Sequence, residues 1–238
     1  MMPYLSEFLG TMILILLGDG SVANACLNRS GMKGAGPVQI TFAWGLAVLL
    51  PAYIFGSSSG VHFNPALTLA LAAGGYFSWA MVPGYCVAQT AGAFCGACLV
   101  YVLFRHQFDA TEDPDIKRGV FCTSPSVPDR FRNMLSEITG TFVLVFAILG
   151  LSRVPDMPGG VNYLLVFGII VSIGMSLGGL TGYAINPARD LGPRLAHALL
   201  PIRGKGSSHW DYAVVPLFGP LAGGLLAVWL FDVLPWME

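Results

Sequence analysis

Charge is scarce in this sequence: 11% of its 238 residues are Asp, Glu, Lys or Arg, against roughly 25% in a soluble domain. None falls between Lys33 and Arg105, from Met157 to Ala188, or from Tyr212 to Phe231. Runs of this kind exclude a water-facing surface and place the chain in lipid. The 12 basic and 13 acidic residues leave a net charge of −1, which gives no basic patch for nucleic acid. Cysteines are few and odd in number, and Cys26, Cys86, Cys95 and Cys98 sit in apolar segments, so no disulfide framework is expected. The Cys95-x-x-Cys98 spacing lies in a run of small residues that suits close helix packing in a membrane better than a redox or metal pair. No nucleophile–base pair and no metal-ligand cluster stands out; the sequence does not read as an enzyme and calls for no cofactor. The N-terminus lacks the basic region and cleavage site of a signal peptide, so the first apolar segment is expected to be retained.

A membrane-spanning helix needs about 20 mainly apolar residues. Six long apolar segments can be drawn, at roughly 5–27, 38–56, 82–105, 134–152, 162–179 and 211–231. The connection from His106 to about Asn133 carries six charged residues from Asp109 to Arg118 and is expected to be a solvated linker. It divides one membrane domain, residues 1–238, into repeats at about 4–105 and 134–232. Leu5-Ser6-Glu7-Phe8-Leu9-Gly10-Thr11 returns as Leu135-Ser136-Glu137-Ile138-Thr139-Gly140-Thr141, and Asn64-Pro65-Ala66 returns as Asn186-Pro187-Ala188. Three spans per repeat is an odd number, so the second repeat enters the membrane from the opposite side. Inverted repeats place a functional site where interrupted helices meet at the bilayer midplane.

The apolar stretches after the two triplets, Leu67 to Ala73 and Leu191 to about Leu200, are too short to cross. Asn is a favoured N-cap and Pro a favoured first helical residue, so each triplet reads as the start of a re-entrant half-helix. The Gly-containing runs Gly56–Gly60 and Gly178–Gly182 read as irregular backbone, which is tolerated at membrane depth only where protein encloses it or it lines a watery cavity.

Two such triplets in an inverted repeat, with Arg189 after the second, resemble the signature of the aquaporin superfamily, and the resemblance extends from Glu7 to Pro220. Asp190 extends the second motif in a way that resembles the glycerol-conducting branch. The resemblance implies an all-α membrane protein with six transmembrane helices and two half-helices. It implies a passive channel for glycerol and other small neutral solutes, among them urea, dihydroxyacetone and undissociated lactic acid, and for water. It further implies a homotetramer with a pore in each subunit. Asn64, Pro65, Ala66, Asn186, Pro187 and Ala188 would form the pore midplane, and Trp44, Gly174, Tyr183 and Arg189 the selectivity filter. Tyr183 stands where that branch usually has Phe, and Gly174 is expected to open the constriction.

The parts also suggest a mechanism. Half-helices meeting by their N-termini aim positive dipole ends at the midplane, and Arg189 adds a fixed charge, so cations are expected to be repelled. Glu7 and Glu137, at equivalent places in the repeat, read as acceptors for backbone N–H groups of the re-entrant loops; His62 and Asp190 read as loop support. Asp19, an acid inside the first apolar segment, has no role by resemblance. Cytoplasmic termini follow from the resemblance, although Arg29, Lys33, Lys117, Arg118, Arg130, Arg132, Arg203 and Lys205 would then face outward, against the positive-inside tendency. A water-selective channel and, more distantly, an ion-coupled transporter are the competing functions.

Overall fold

The computed structural model describes residues 1–236. Ten α-helices follow in order: α1 (Met2–Cys26), α2 (Gly36–Ser59), α3 (Pro65–Ala73), α4 (Val82–Leu103), α5 (Arg105–Ala110), α6 (Pro114–Phe121), α7 (Arg130–Leu151), α8 (Val161–Thr181), α9 (Pro187–Leu199) and α10 (Val214–Val233). Six of them, α1, α2, α4, α7, α8 and α10, are long and apolar enough to cross a membrane, and the span of α4 is lengthened by a 3₁₀ turn from Trp79. The short α3 and α9 lie between α2 and α4 and between α8 and α10. The fold is thus six transmembrane helices and two re-entrant half-helices in an inverted repeat.

α1 and α2 start earlier than hydropathy suggests because Pro sits in the first turn of each, where its missing N–H costs nothing. α2 and α8 also end later. Gly56 to Ser59 and Gly178 to Thr181, expected to be irregular, remain helical, since a helix satisfies its own backbone where water is absent. Each helix stops one residue further on, at Gly60 and Gly182, both with φ of 80°. That left-handed stop is where glycine carries no Cβ penalty.

Two helix pairs carry the inverted symmetry. A Cβ on Gly92 of α4 would lie 2.2 Å from the Phe8 carbonyl of α1, and one on Gly223 of α10 would lie 2.2 Å from the Ile138 carbonyl of α7. Phe8 and Ile138 are repeat equivalents. Gly96, 2.5 Å by the same measure from the Met12 carbonyl, also serves this contact, so Gly92 and Gly96 join helices within one subunit and do not form a surface for copies to meet. The half-helices cross over: α9 packs on α4 and α3 on α10. Each repeat therefore clasps the other's short helix. Around the outside, large apolar side chains such as Leu46, Leu50, Val87, Leu103 and Trp229 are exposed, as lipid-facing helices require.

The linker departs from expectation. Within it, α5 and α6 fold against the body, with Phe108, Val120 and Phe121 fully buried and Lys117 and Arg118 buried at 3% and 7% exposure. Apolar residues at Phe108, Ile116, Val120 and Phe121 give this charged segment a packing face that its charge count conceals. Lys117 Nζ donates to the Arg203 carbonyl at 2.5 Å, and Arg118 pairs with Asp115 at 2.7 Å.

Candidate functional site

The loops that precede the half-helices adopt one unusual conformation twice. Val61 and Phe63 in the first, and Tyr183 and Ile185 in the second, hold φ between 37° and 62°. For bulky or β-branched residues this is strained, and it persists only where the surroundings over-determine it. The carboxylates do so. Glu7 accepts from the backbone N–H of His62 (3.0 Å) and Phe63 (2.7 Å); Glu137 accepts from Ala184 (2.9 Å) and Ile185 (2.8 Å). Gln89 Nε2 donates to Glu7 and the Thr181 hydroxyl to Glu137, both at 2.7 Å. His62 turns its Nδ1 to the Thr68 hydroxyl at 3.0 Å and packs against Phe77 and Tyr85.

Each Asn has three tasks. Asn64 Oδ1 accepts from Ala66 N–H at 2.9 Å, and Asn186 Oδ1 accepts from the N–H of Ala188 (3.0 Å) and Arg189 (3.2 Å), which caps α3 and α9. Asn64 Nδ2 donates to the Ile185 carbonyl at 2.8 Å, and Asn186 Nδ2 donates to the Phe63 carbonyl at 2.7 Å. The two loops are thereby laced together, N-terminus to N-terminus. An amide carries two N–H donors, so one on each Asn is left over.

A cavity of about 170 Å³ runs past this junction. Its lining combines an apolar cluster of Val48, Leu144, Ile148, Val166 and Ile170 with Asn64, Asn186, Arg189 and residues of both loops. Among the described residues nothing donates to the carbonyls of Val61, His62, Tyr183 or Ala184, so these acceptors remain open. Pro65, Ala66, Pro187 and Ala188 do not reach the cavity: they are buried behind it as the first turns of α3 and α9.

Trp44, Tyr183 and Arg189 all line the cavity, and the Arg189 guanidinium lies 4.0 Å from the centre of the Trp44 ring. Gly174 is one layer back. A Cβ there would meet Thr41 Cγ2 at 2.6 Å and Tyr183 Cζ at 2.8 Å, and Gly178 receives the same ring at 2.8 Å. The room that Gly174 was expected to add to the constriction is therefore filled by the Tyr183 ring, which needs two bare glycines of α8 to lie down. Gly174 acts on the site by seating Tyr183.

Asp190 faces away from the cavity. Its carboxylate accepts from Thr123 N–H (2.8 Å) and Oγ1 (2.7 Å) and pairs with Arg194 at 2.7 Å. Arg194, fully buried, continues to the carbonyls of Thr123, Ser208 and His209. Sequence reasoning missed Arg194 and Gln89, and it left Asp19 unassigned. Asp19 lies 3.6 Å from Arg189. A carboxylate in the middle of a span was the available signal; its partner, far away in sequence, was not.

The profile of the major intrinsic proteins matches residues 1–231. The probable glycerol uptake facilitator protein of Thermotoga maritima is 52% identical over 232 residues, which is 98% of this chain and 99% of that protein. The glycerol uptake facilitator protein of Bacillus subtilis is 51% identical over 224 residues, 94% of this chain and 81% of that protein. Of solved structures, the aquaglyceroporin from Plasmodium falciparum has a TM-score of 0.83 and 30% identity over 98% of this chain and 95% of its own. The match runs through both repeats and the fold they build: the chain belongs to the major intrinsic protein family, and it is a membrane channel rather than an enzyme.

Proposed function

We propose that this channel lets glycerol and other small neutral solutes, together with water, diffuse across the membrane while ions and protons are excluded. The mixed lining of the cavity carries the reading: an apolar cluster of Val48, Leu144, Ile148, Val166 and Ile170 is joined there by amide, guanidinium and open carbonyl groups. A polyol has the same two kinds of group, with C–H groups on one side and hydroxyls on the other. Hydroxyls would exchange water for the spare N–H donors of Asn64 and Asn186 and for the loop carbonyls. Trp44, Tyr183 and Arg189 would form the selective end. Glu7, Glu137, His62 and Asp190 would fix the loops, and the prolines and alanines of the triplets would start the half-helices. The facing N-termini of α3 and α9, each worth roughly half a positive charge, would oppose cations.

The names of the two facilitator relatives support glycerol as the solute. We further assign cytoplasmic termini and a homotetramer; six spans put both termini on one side, and the broad exposed apolar faces of the bundle leave room for neighbouring copies. Cysteine labelling at residue 2 in intact cells tests the orientation, and native mass spectrometry tests the assembly. The central test is stopped-flow light scattering on proteoliposomes. Glycerol flux well above that of empty vesicles, saturating weakly, is expected. Protein that passes water but no glycerol would instead be a water-selective channel.

A further inference from the structure

Asp19 is fully buried within α1, and neither of its carboxylate oxygens accepts a hydrogen bond among the described residues. Its partner is Arg189, whose Nη1 lies 3.6 Å from Oδ1. That exceeds hydrogen-bond distance, so the two are joined by charge alone. Arg189 is held on other sides too: its guanidinium lies on the Trp44 ring at 4.0 Å, and Nη1 donates to the Phe121 carbonyl at 3.4 Å. The Trp44 ring rests in turn on Gly18, where a Cβ would meet it at 2.4 Å. Gly18 and Asp19 thus form one seat on α1. The glycine admits the ring, and the next residue supplies a negative charge behind the guanidinium. Asp190, the neighbour of Arg189 in sequence, cannot serve, because Arg194 and Thr123 occupy it.

We propose that Asp19 is a positioning and specificity residue: from behind the cavity wall it balances the charge of Arg189, holds the guanidinium against Trp44 and keeps the cavity from retaining small anions. A guanidinium in the first turn of a half-helix, as Arg189 is in α9, is without a counter-charge an anion site. Asp19 removes the net charge while leaving the N–H donors that face the cavity. A neutral solute can then bond to Arg189 without competing against an anion. The inference rests on the cavity being the solute path.

The test is glycerol flux in proteoliposomes at constant ionic strength, with thiocyanate replacing sulfate. The parent's flux is expected to be indifferent to thiocyanate. Asp19→Asn, which keeps the shape and removes the charge, is expected to be inhibited several-fold. Asp19→Glu should keep the parent's indifference, and Asp19→Asn combined with Arg189→Val should lose the sensitivity again. An Asp19→Asn protein as indifferent as the parent overturns the proposal, as does a double variant as sensitive as the single one. If Asp19→Asn does not fold, a folded double variant on size exclusion supports charge balance; failure of both would make Asp19 a packing residue and overturn it. A parent that passes no glycerol counts against the proposed solute, whereas a glycerol-conducting parent with an anion-indifferent Asp19→Asn counts against Asp19 alone.

Discussion

Arg189 and Gly174 are the residues whose neighbours change what a substitution should do. Read from the sequence alone, Arg189→Val simply removes the fixed charge. The structure puts Asp19 at 3.6 Å, itself fully buried, and stripping one partner from a buried pair costs about 3–5 kcal/mol. Arg189→Val alone should therefore lower the unfolding temperature in detergent, and adding Asp19→Asn should restore most of the loss. That double variant is the clean probe of ion exclusion. Its proton leak, read by a pH dye inside proteoliposomes, should exceed the parent's while glycerol flux survives. A double variant as tight as the parent would assign the barrier to the half-helix ends. At Gly174 even one methyl group meets the Tyr183 ring at 2.8 Å. Gly174→Ala should push the ring into the cavity, cost about 1–3 kcal/mol as overpacking does, and reduce glycerol flux more than water flux.

At the scale of elements, the two loop–half-helix units are held by one carboxylate each. Both oxygens of Glu137 accept backbone N–H bonds from the second loop, at 2.9 and 2.8 Å. Glu137→Gln turns one of those acceptors into a donor facing a donor, and a buried unpaired group costs about 1–3 kcal/mol. The variant should melt lower and lose solute flux, because the strained φ at Tyr183 and Ile185 is no longer enforced. Parent-like melting and flux would mean that the loop holds its shape without the carboxylate. The glycine contacts make a parallel prediction. Gly92→Ala and Gly223→Ala each place a Cβ 2.2 Å from a backbone carbonyl of the paired helix, and a backbone cannot give way as a side chain can. Both variants should yield little folded protein on fluorescence-detected size exclusion, to a similar extent, as the repeat symmetry requires.

For the whole molecule, the expected behaviour is electrically silent, passive flux. Glycerol accumulation against its gradient, driven by protons or sodium in proteoliposomes, would refute the channel reading. The carboxylates that could couple to protons are committed: Glu7 and Glu137 to loop N–H groups, Asp190 to Arg194 and Thr123, Asp19 to Arg189. Three of the basic residues that argue against cytoplasmic termini also have local tasks. Lys205 Nζ donates to the carbonyls of Ala198 (2.6 Å) and Leu200 (2.7 Å) at the C-terminal end of α9, and Lys117 and Arg118 are buried. Their positions follow from packing of the connecting segments.

The sequence by itself determined the solvent, the number of spans, the inverted repeat and the starts of the half-helices. Each of these rests on local composition or on a pattern met twice, such as Glu7 with Glu137 and Asn64 with Asn186. Only the tertiary structure decided which groups meet across the chain. Asn64 and Ile185, Gln89 and Glu7, Thr123 and Asp190, and Asp19 and Arg189 all pair over long separations, and no local pattern records a partner. The structure also decided that the space beside Gly174 belongs to Tyr183 and that a charged connector packs into the body. A missing side chain in the sequence leaves room, but the packing of neighbours determines what fills it.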